Sequence, residues 1–135
     1  MNSETVKLLT EHKIRVSLQR IAVMSYLLEN HCHPTVEVIY EGLHTVFPTL
    51  SRSTIYQALK LFCEKGAAQK IVTGDGEMRF DANITTHGHF MCIKCGTITD
   101  FYYPEKTVLP TPKGKFRILQ QHLFYQGICP PCSPS

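Results

Sequence analysis

Six cysteines and seven histidines in a chain of 135 residues are the side chains with the most chemistry to offer, and their spacing sorts them. Four cysteines form two C-x-x-C pairs, Cys92/Cys95 and Cys129/Cys132. Thiolates two residues apart can grip one ion from a single tight knuckle, and Gly96 after the first pair relieves the backbone there. Two such knuckles suit a closed tetrahedral S4 zinc site. The competitor is a redox dithiol, because Cys129-Pro130-Pro131-Cys132 has the form of a thioredoxin-like motif. A reactive dithiol normally sits where a helix N-terminus lowers its pKa, whereas this pair lies close to the end of the chain with two prolines inside it. Cys32 and Cys63 are left over. Cys63 reads as a small buried apolar residue, and Cys32, beside a candidate ligand, stays open.

A second set, His33, Asp81, His87, His89 and Asp100, offers nitrogen and oxygen donors. Imidazole with carboxylate suits Fe(II), Mn(II) or Zn(II) and does not favour soft-metal chemistry. Taken singly, a His or Asp is more often a surface or capping residue. The His87-Gly88-His89 pair directly before a zinc knuckle is the part that reads as ligands by itself. An ion bound by all five would tie two halves of the chain together.

The elements that must carry these residues change character along the chain. Ser17 can cap a helix in which Leu18, Ile21, Met24 and Leu28 recur at helical spacing, and the pattern breaks at HCHP. Thr35 can cap a second helix, with Val36, Ile39, Leu43 and Val46 inward. The turn Phe47-Pro48-Thr49-Leu50 leads to Ser51 as a third cap, after which Ile55, Ala58, Leu59 and Phe62 form one stripe until Gly66. Two extended runs, Gln69–Val72 and Glu77–Asp81, then flank a glycine-rich turn. A hairpin directly after helix-turn-helix reads as a wing. From Asn83 the stripes give way to short β-like runs, at Phe90–Cys92, Thr97–Phe101 and Leu123–Tyr125, so a boundary is expected near residues 82–86. Pro104 to Lys115 holds three prolines and Gly114, which predicts mostly loop.

With Ile55, Ala58, Leu59 and Phe62 inward, Arg52, Ser53, Tyr56, Gln57 and Lys60 share the opposite face of the third helix. That face suits DNA: Arg52 and Lys60 can meet phosphates or guanine, Gln57 can pair with adenine, and the Tyr56 ring can touch a thymine methyl. Ser51 and Thr54 stand at the same helix start. Lys13, Arg15, Gln19 and Arg20 add polar groups suited to backbone contacts. A solvated helix face is the bland alternative, and the turn spacing with the wing weighs against it. The net charge of +3, from 14 Lys+Arg against 11 Asp+Glu, permits a local basic face and excludes a histone-like coat. No apolar run approaches the roughly 18 residues of a membrane span, and the charged N-terminal stretch lacks the apolar core of a signal peptide. A cytoplasmic location is expected.

The stretches RVSLQR, HPTVEVIY, FPTLSRSTIYQALKLFCEKG, HGHFMCIKCG, ITDF and CPPC, taken in order from Arg15 to Cys132, resemble the ferric uptake regulator (Fur) family. The resemblance implies an α+β chain. Residues 1–82 would form an N-terminal winged-helix DNA-binding domain, and residues 83–135 a small α/β dimerization and metal-binding domain. It implies a homodimeric repressor, not an enzyme, that binds a double-stranded operator, with structural zinc and a regulatory Fe(II) or Mn(II). The chain looks most like the peroxide-responsive branch, whose three His and two Asp fall here on His33, Asp81, His87, His89 and Asp100. The iron-sensing branch more often has Glu at the positions of Asp81 and Asp100. An iron, zinc or manganese uptake regulator of the same family stays open as the alternative. Two departures stand out: the stretch from Asp100 to Cys129 is short and proline-broken where the family commonly has a helix, and Gln121 precedes His122 where a His is usual. From other classes, a metal hydrolase or thiol-exchange enzyme would need substrate-binding groups that no motif supplies, and a zinc-ribbon adaptor would bind protein and no nucleic acid.

Overall fold

The computed structural model describes residues 3–30, 33–73, 75–82, 87–104, 106–118 and 121–133. The chain divides into two compact units, Met1–Ile84 and Thr85–Ser135.

The first unit opens with helix α1 (Ser3–Glu11), which the sequence reading passed over. Its end explains why it holds. Ile14 N donates to Leu9 O at 2.9 Å and Lys13 N to Thr10 O at 3.0 Å, the paired closure of a left-handed C-terminal cap. Lys13 takes the left-handed position, φ 59°, usually given to glycine. Leu9 and Ile14, both buried, seal the cap. Helices α2 (Leu18–Glu29), α3 (Val36–Leu43) and α4 (Arg52–Glu64) follow, each started by the expected hydroxyl: Ser17 accepts from Arg20 N, Thr35 from Val38 N and Ser51 from Thr54 N. Gly66 at φ 77° closes α4 in the way Lys13 closes α1, with Ala67 N donating to Phe62 O at 2.8 Å.

The stripe expected on α4 is the observed one, since Ile55, Ala58, Leu59 and Phe62 are all buried. On α2 the buried face is Val23, Met24 and Leu27, while Leu18 is 68 % exposed. Leu18 is the first residue of the helix. Val46, expected inward, is 77 % exposed because α3 stops at Leu43 and Val46 stands in the turn that follows. Strands β1 (Gln69–Val72) and β2 (Met78–Asp81) pair antiparallel from Gln69↔Asp81 to Val72↔Met78. In their turn the Asp75 carboxylate accepts from the Thr73 hydroxyl and from Glu77 N. Phe80 of β2 points into the helical core and is 1 % exposed.

The second unit is a three-stranded sheet in the order β4-β3-β5, with β3 (His87–Cys92) central. Strand β4 (Ile98–Tyr102) runs antiparallel to it, and β5 (Phe124–Gly127) runs parallel. Among the described residues between β4 and β5 there is no helix or strand, in keeping with the prolines there. One 3-10 turn, Pro130–Cys132, follows β5. The expected boundary at residues 82–86 falls mainly outside the described residues, as do Cys32 and Gly74.

Candidate metal centres and nucleic-acid interface

The two thiolate knuckles meet in the second unit. Strand β3 delivers Cys92, the turn after it delivers Cys95, and the chain beyond β5 delivers Cys129 and Cys132. Their sulfurs lie within 4.8 Å of one another. Cys95 Sγ and Cys129 Sγ are 3.6 Å apart. Four sulfurs about 2.3 Å from a tetrahedral zinc stand about 3.8 Å from each other, so the cluster has the right span. The backbone is already arranged for negative sulfur, because the N–H groups of Cys129 and Cys95 point at Cys92 Sγ from 3.4 Å and 3.5 Å. Those two donors hold the Cys92 thiol down to about 6. The Thr97 hydroxyl, 3.2 Å from Cys95 Sγ, lowers that thiol as well. Cys132, crowded by the sulfurs of Cys129 and Cys95, is pushed up to about 12. Four thiols this close cannot all ionise alone, and a divalent cation is the charge that lets them. All four are free thiols.

The nitrogen and oxygen donors are built separately within each unit. In the first, Phe80 N of β2 donates to Pro34 O at 3.0 Å and Arg79 Nη1 donates to His33 O. The His33-Pro34 segment is thereby sewn alongside the wing strand. His33 itself is held at φ 55°. The result is a buried pair, His33 Nε2 and Asp81 Oδ2 at 3.4 Å, with side chains 3 % and 4 % exposed. In the second unit the two-residue period of β3 puts His87 and His89 on one face, their rings 4.5 Å apart. Register sets Asp100 opposite His89. Its carboxylate lies 3.8 Å from His87 Nε2 and 3.6 Å from His89 Nε2. Imidazoles converging on a carboxylate, nearly shut off from water, are a donor set for a borderline divalent metal. Gly88 between the histidines makes room on the other face. The Phe101 ring crosses it and stacks on Tyr125 of β5 at 5.6 Å.

On the first unit Ser53, Tyr56, Gln57 and Lys60 are exposed along α4, as the stripe requires. A cavity of about 430 Å³ between the start of α2 and α4 is lined by Gln19, Arg20, Thr54, Gln57, Lys60 and Glu64 among others. A smaller groove of about 200 Å³ separates α4 from the hairpin and carries Tyr56, Lys60, Lys70 and Phe80. Arg15 is exposed, and its carbonyl accepts from Arg20 Nη1 at 2.7 Å. Ser51 and Thr54 are partly occupied by capping, with their hydroxyls 2.9 Å apart. Arg52 is engaged with Glu37 and Tyr40 of α3, two residues that sequence reasoning did not single out. Glu37 reads in sequence as an acidic first-turn residue, and nothing local points from it to Arg52.

A helix-turn-helix with a wing, followed by a small sheet unit with a thiolate cluster and a His/Asp set, defines a winged-helix regulator with metal-binding residues. The model of the ferric uptake regulator family matches residues 11–132, and the chain belongs to that family. It is 36 % identical over 132 residues to the peroxide-responsive repressor PerR of Staphylococcus epidermidis, covering 96 % of this chain and 88 % of that one. It is 35 % identical over 133 residues to the peroxide operon regulator of Bacillus subtilis, covering 96 % and 92 %. Among solved structures, a zinc-bound manganese uptake regulator superposes with TM-score 0.69 at 27 % identity, over 93 % of this chain and 98 % of that one. PerR from Streptococcus pyogenes superposes with TM-score 0.53 at 26 % identity, over 96 % and 91 %. The chain is a metal-dependent regulator and not an enzyme.

Proposed function

We infer that this chain is a homodimeric, peroxide-responsive repressor that binds a double-stranded operator in the cytoplasm. Residues 1–82 act as the DNA-binding domain and residues 83–135 as the dimerization and metal-binding domain. The donor chemistry carries this reading: His33 with Asp81, and His87 and His89 with Asp100, are imidazole–carboxylate sets in a chain 36 % identical to a peroxide-responsive repressor. Cys92, Cys95, Cys129 and Cys132 hold structural zinc, and their span and the N–H groups aimed at Cys92 support that role. By the resemblance, His33, Asp81, His87, His89 and Asp100 together hold the regulatory ion. Fe(II), when bound, supplies the electrons that reduce peroxide, and Mn(II) is far less reactive. The residues' part is to fix the donors, keep bulk water away, and present His33 and His87 as oxidisable rings. Arg15, Gln19, Arg20, Ser51, Ser53, Thr54, Tyr56, Gln57 and Lys60 face the operator.

The similarity to a manganese uptake regulator favours a second reading, metal-uptake control with no peroxide response. One experiment decides between them. The protein is loaded with Fe(II) or Mn(II), exposed to micromolar peroxide, and assayed for operator binding and for oxygen added to the peptides containing His33 and His87. Loss of binding with one added oxygen in the Fe(II) form alone supports the peroxide sensor. Disulfides in the cysteine pairs without histidine oxidation indicate thiol-based sensing. No modification, with binding that follows metal concentration, establishes the uptake regulator.

A further inference from the structure

Arg52 is the first residue of α4, where a cation faces the positive end of the helix dipole. The structure resolves this unfavourable placement locally. Nε donates to Glu37 Oε2 at 2.6 Å and Nη2 to Glu37 Oε1 at 2.9 Å, a two-point fork on a carboxylate of α3. The guanidinium carbon also stands 3.9 Å from the centre of the Tyr40 ring, one turn further along the same helix. Tyr40 is in turn stacked on His44, with ring centres 5.1 Å apart. One edge and one face of the guanidinium are therefore occupied by α3, and its charge is matched. The bond to Arg52 holds the Glu37 carboxyl below its ordinary value. If the guanidinium left for a phosphate, it would leave that carboxylate bare at the same surface, repelling the DNA it was meant to attract.

We propose that Arg52 is a positioning residue, latching α3 to the first turn of α4 and so aiming Tyr56, Gln57 and Lys60, and that it does not itself touch the operator. This departs from the direct contact expected from sequence, and it rests on the reading of α4 as the DNA-reading helix. The geometry explains the difference: an arginine on an exposed helix face looks like a DNA contact until its partner on the neighbouring helix is seen.

The test uses the full-length chain loaded with Mn(II) and the duplex that the wild type selects from a randomised library. Affinity is measured at several salt concentrations for wild type, Arg52→Gln, Arg52→Lys, Glu37→Gln and the double variant Glu37→Gln/Arg52→Gln. Positioning predicts that Arg52→Gln and Glu37→Gln each weaken binding about three- to tenfold and that the double variant is no weaker than either, the non-additivity of one shared contact. The slope of log affinity against log salt stays at the wild-type value. Arg52→Lys, which keeps the charge and loses the fork, binds as weakly as Arg52→Gln. A direct phosphate contact gives the opposite pattern and overturns the proposal: the slope falls by about 0.9 in Arg52→Gln, and Glu37→Gln binds as well as wild type or better. Relaxed preference at a single base pair in Arg52→Gln, or unchanged affinity in every variant, overturns it too. Melting curves confirm that each variant is folded at the assay temperature, and Arg52→Lys carries the test should Arg52→Gln unfold. A wild type that selects no duplex refutes the DNA-binding reading itself and is distinct from all these outcomes.

Discussion

Gly88 is a glycine for a reason found one strand away: a Cβ there would stand 2.3 Å from the Phe101 ring. Gly88→Ala must displace the ring or part the strands, and should cost on the order of 1–3 kcal/mol, read as a lower urea midpoint. An unchanged midpoint would mean that the ring swings aside freely. The flanking histidines were legible from spacing alone, whereas Gly88 was not, because its partner belongs to another strand. The same divide runs through the cysteines. Their pairing showed in sequence, but the N–H groups that pull Cys92 down to about 6 come from a fold that brings Cys129 beside it. In the metal-free chain Cys92 favours the folded state fully above the ordinary thiol value of about 8.5 and loses that contribution as pH falls through about 6. Cys132, pushed up to about 12, works in the opposite sense, contributing below the ordinary range and losing its share as pH rises. Thiolate absorbance of metal-free protein should show one ionisation below neutrality and a last one well beyond the usual range; a single step near 8.5 would contradict the geometry. Zinc affinity should fall as pH drops, because protons compete with the cation for the sulfurs.

Caps are the most local of the signals at the scale of helices and strands, and all three predicted hydroxyl caps are in place. Ser51→Ala removes the acceptor for Thr54 N and should lower stability by about 1 kcal/mol, with zinc content unchanged. Helix α1 escaped the sequence reading because its buried face is only Thr5 and Leu9, too sparse for a stripe, and its stop is a lysine where glycine would have announced it. Lys13→Gly should therefore stabilise the first unit by about 0.5–1 kcal/mol in thermal melts, since glycine meets no side-chain penalty at φ 59°. A lower melting temperature would show that the lysine side chain contributes more than its backbone costs. The hairpin was legible from its turn and alternation. The parallel pairing of β3 with β5 was not, because that register is fixed across a long proline-broken stretch with no period of its own.

The molecule as a whole is a pair of units too small to be secure without help, and the sheet unit leaves large apolar side chains in water: Tyr125 at 53 % exposure, with Phe116 and Ile118 also exposed. In the homodimer proposed above, a second copy of this chain would cover them. Cys92→Ser or Cys129→Ser should release zinc and with it folding free energy on the order of 10 kcal/mol. Sedimentation should then find monomer, and a variant that keeps both zinc and dimer would remove the thiolates from their structural role. The class and the two clusters of candidate ligands were readable here because side-chain spacing and helix stripes are short-range patterns. What sequence left open, such as the engagement of Arg52 with α3, depends on contacts between elements.

The hydrogen bond from Phe80 N to Pro34 O makes one amide a reporter. That bond fastens the segment carrying His33 to the strand that ends in Asp81, so an ion gripping both side chains should clamp the seam between them. Solvent hydrogen exchange at the Phe80 amide should slow when metal is added and quicken again once the His33 ring is damaged. A single resonance in the hairpin would then follow, in the free protein and with no DNA present, whether the switch is set.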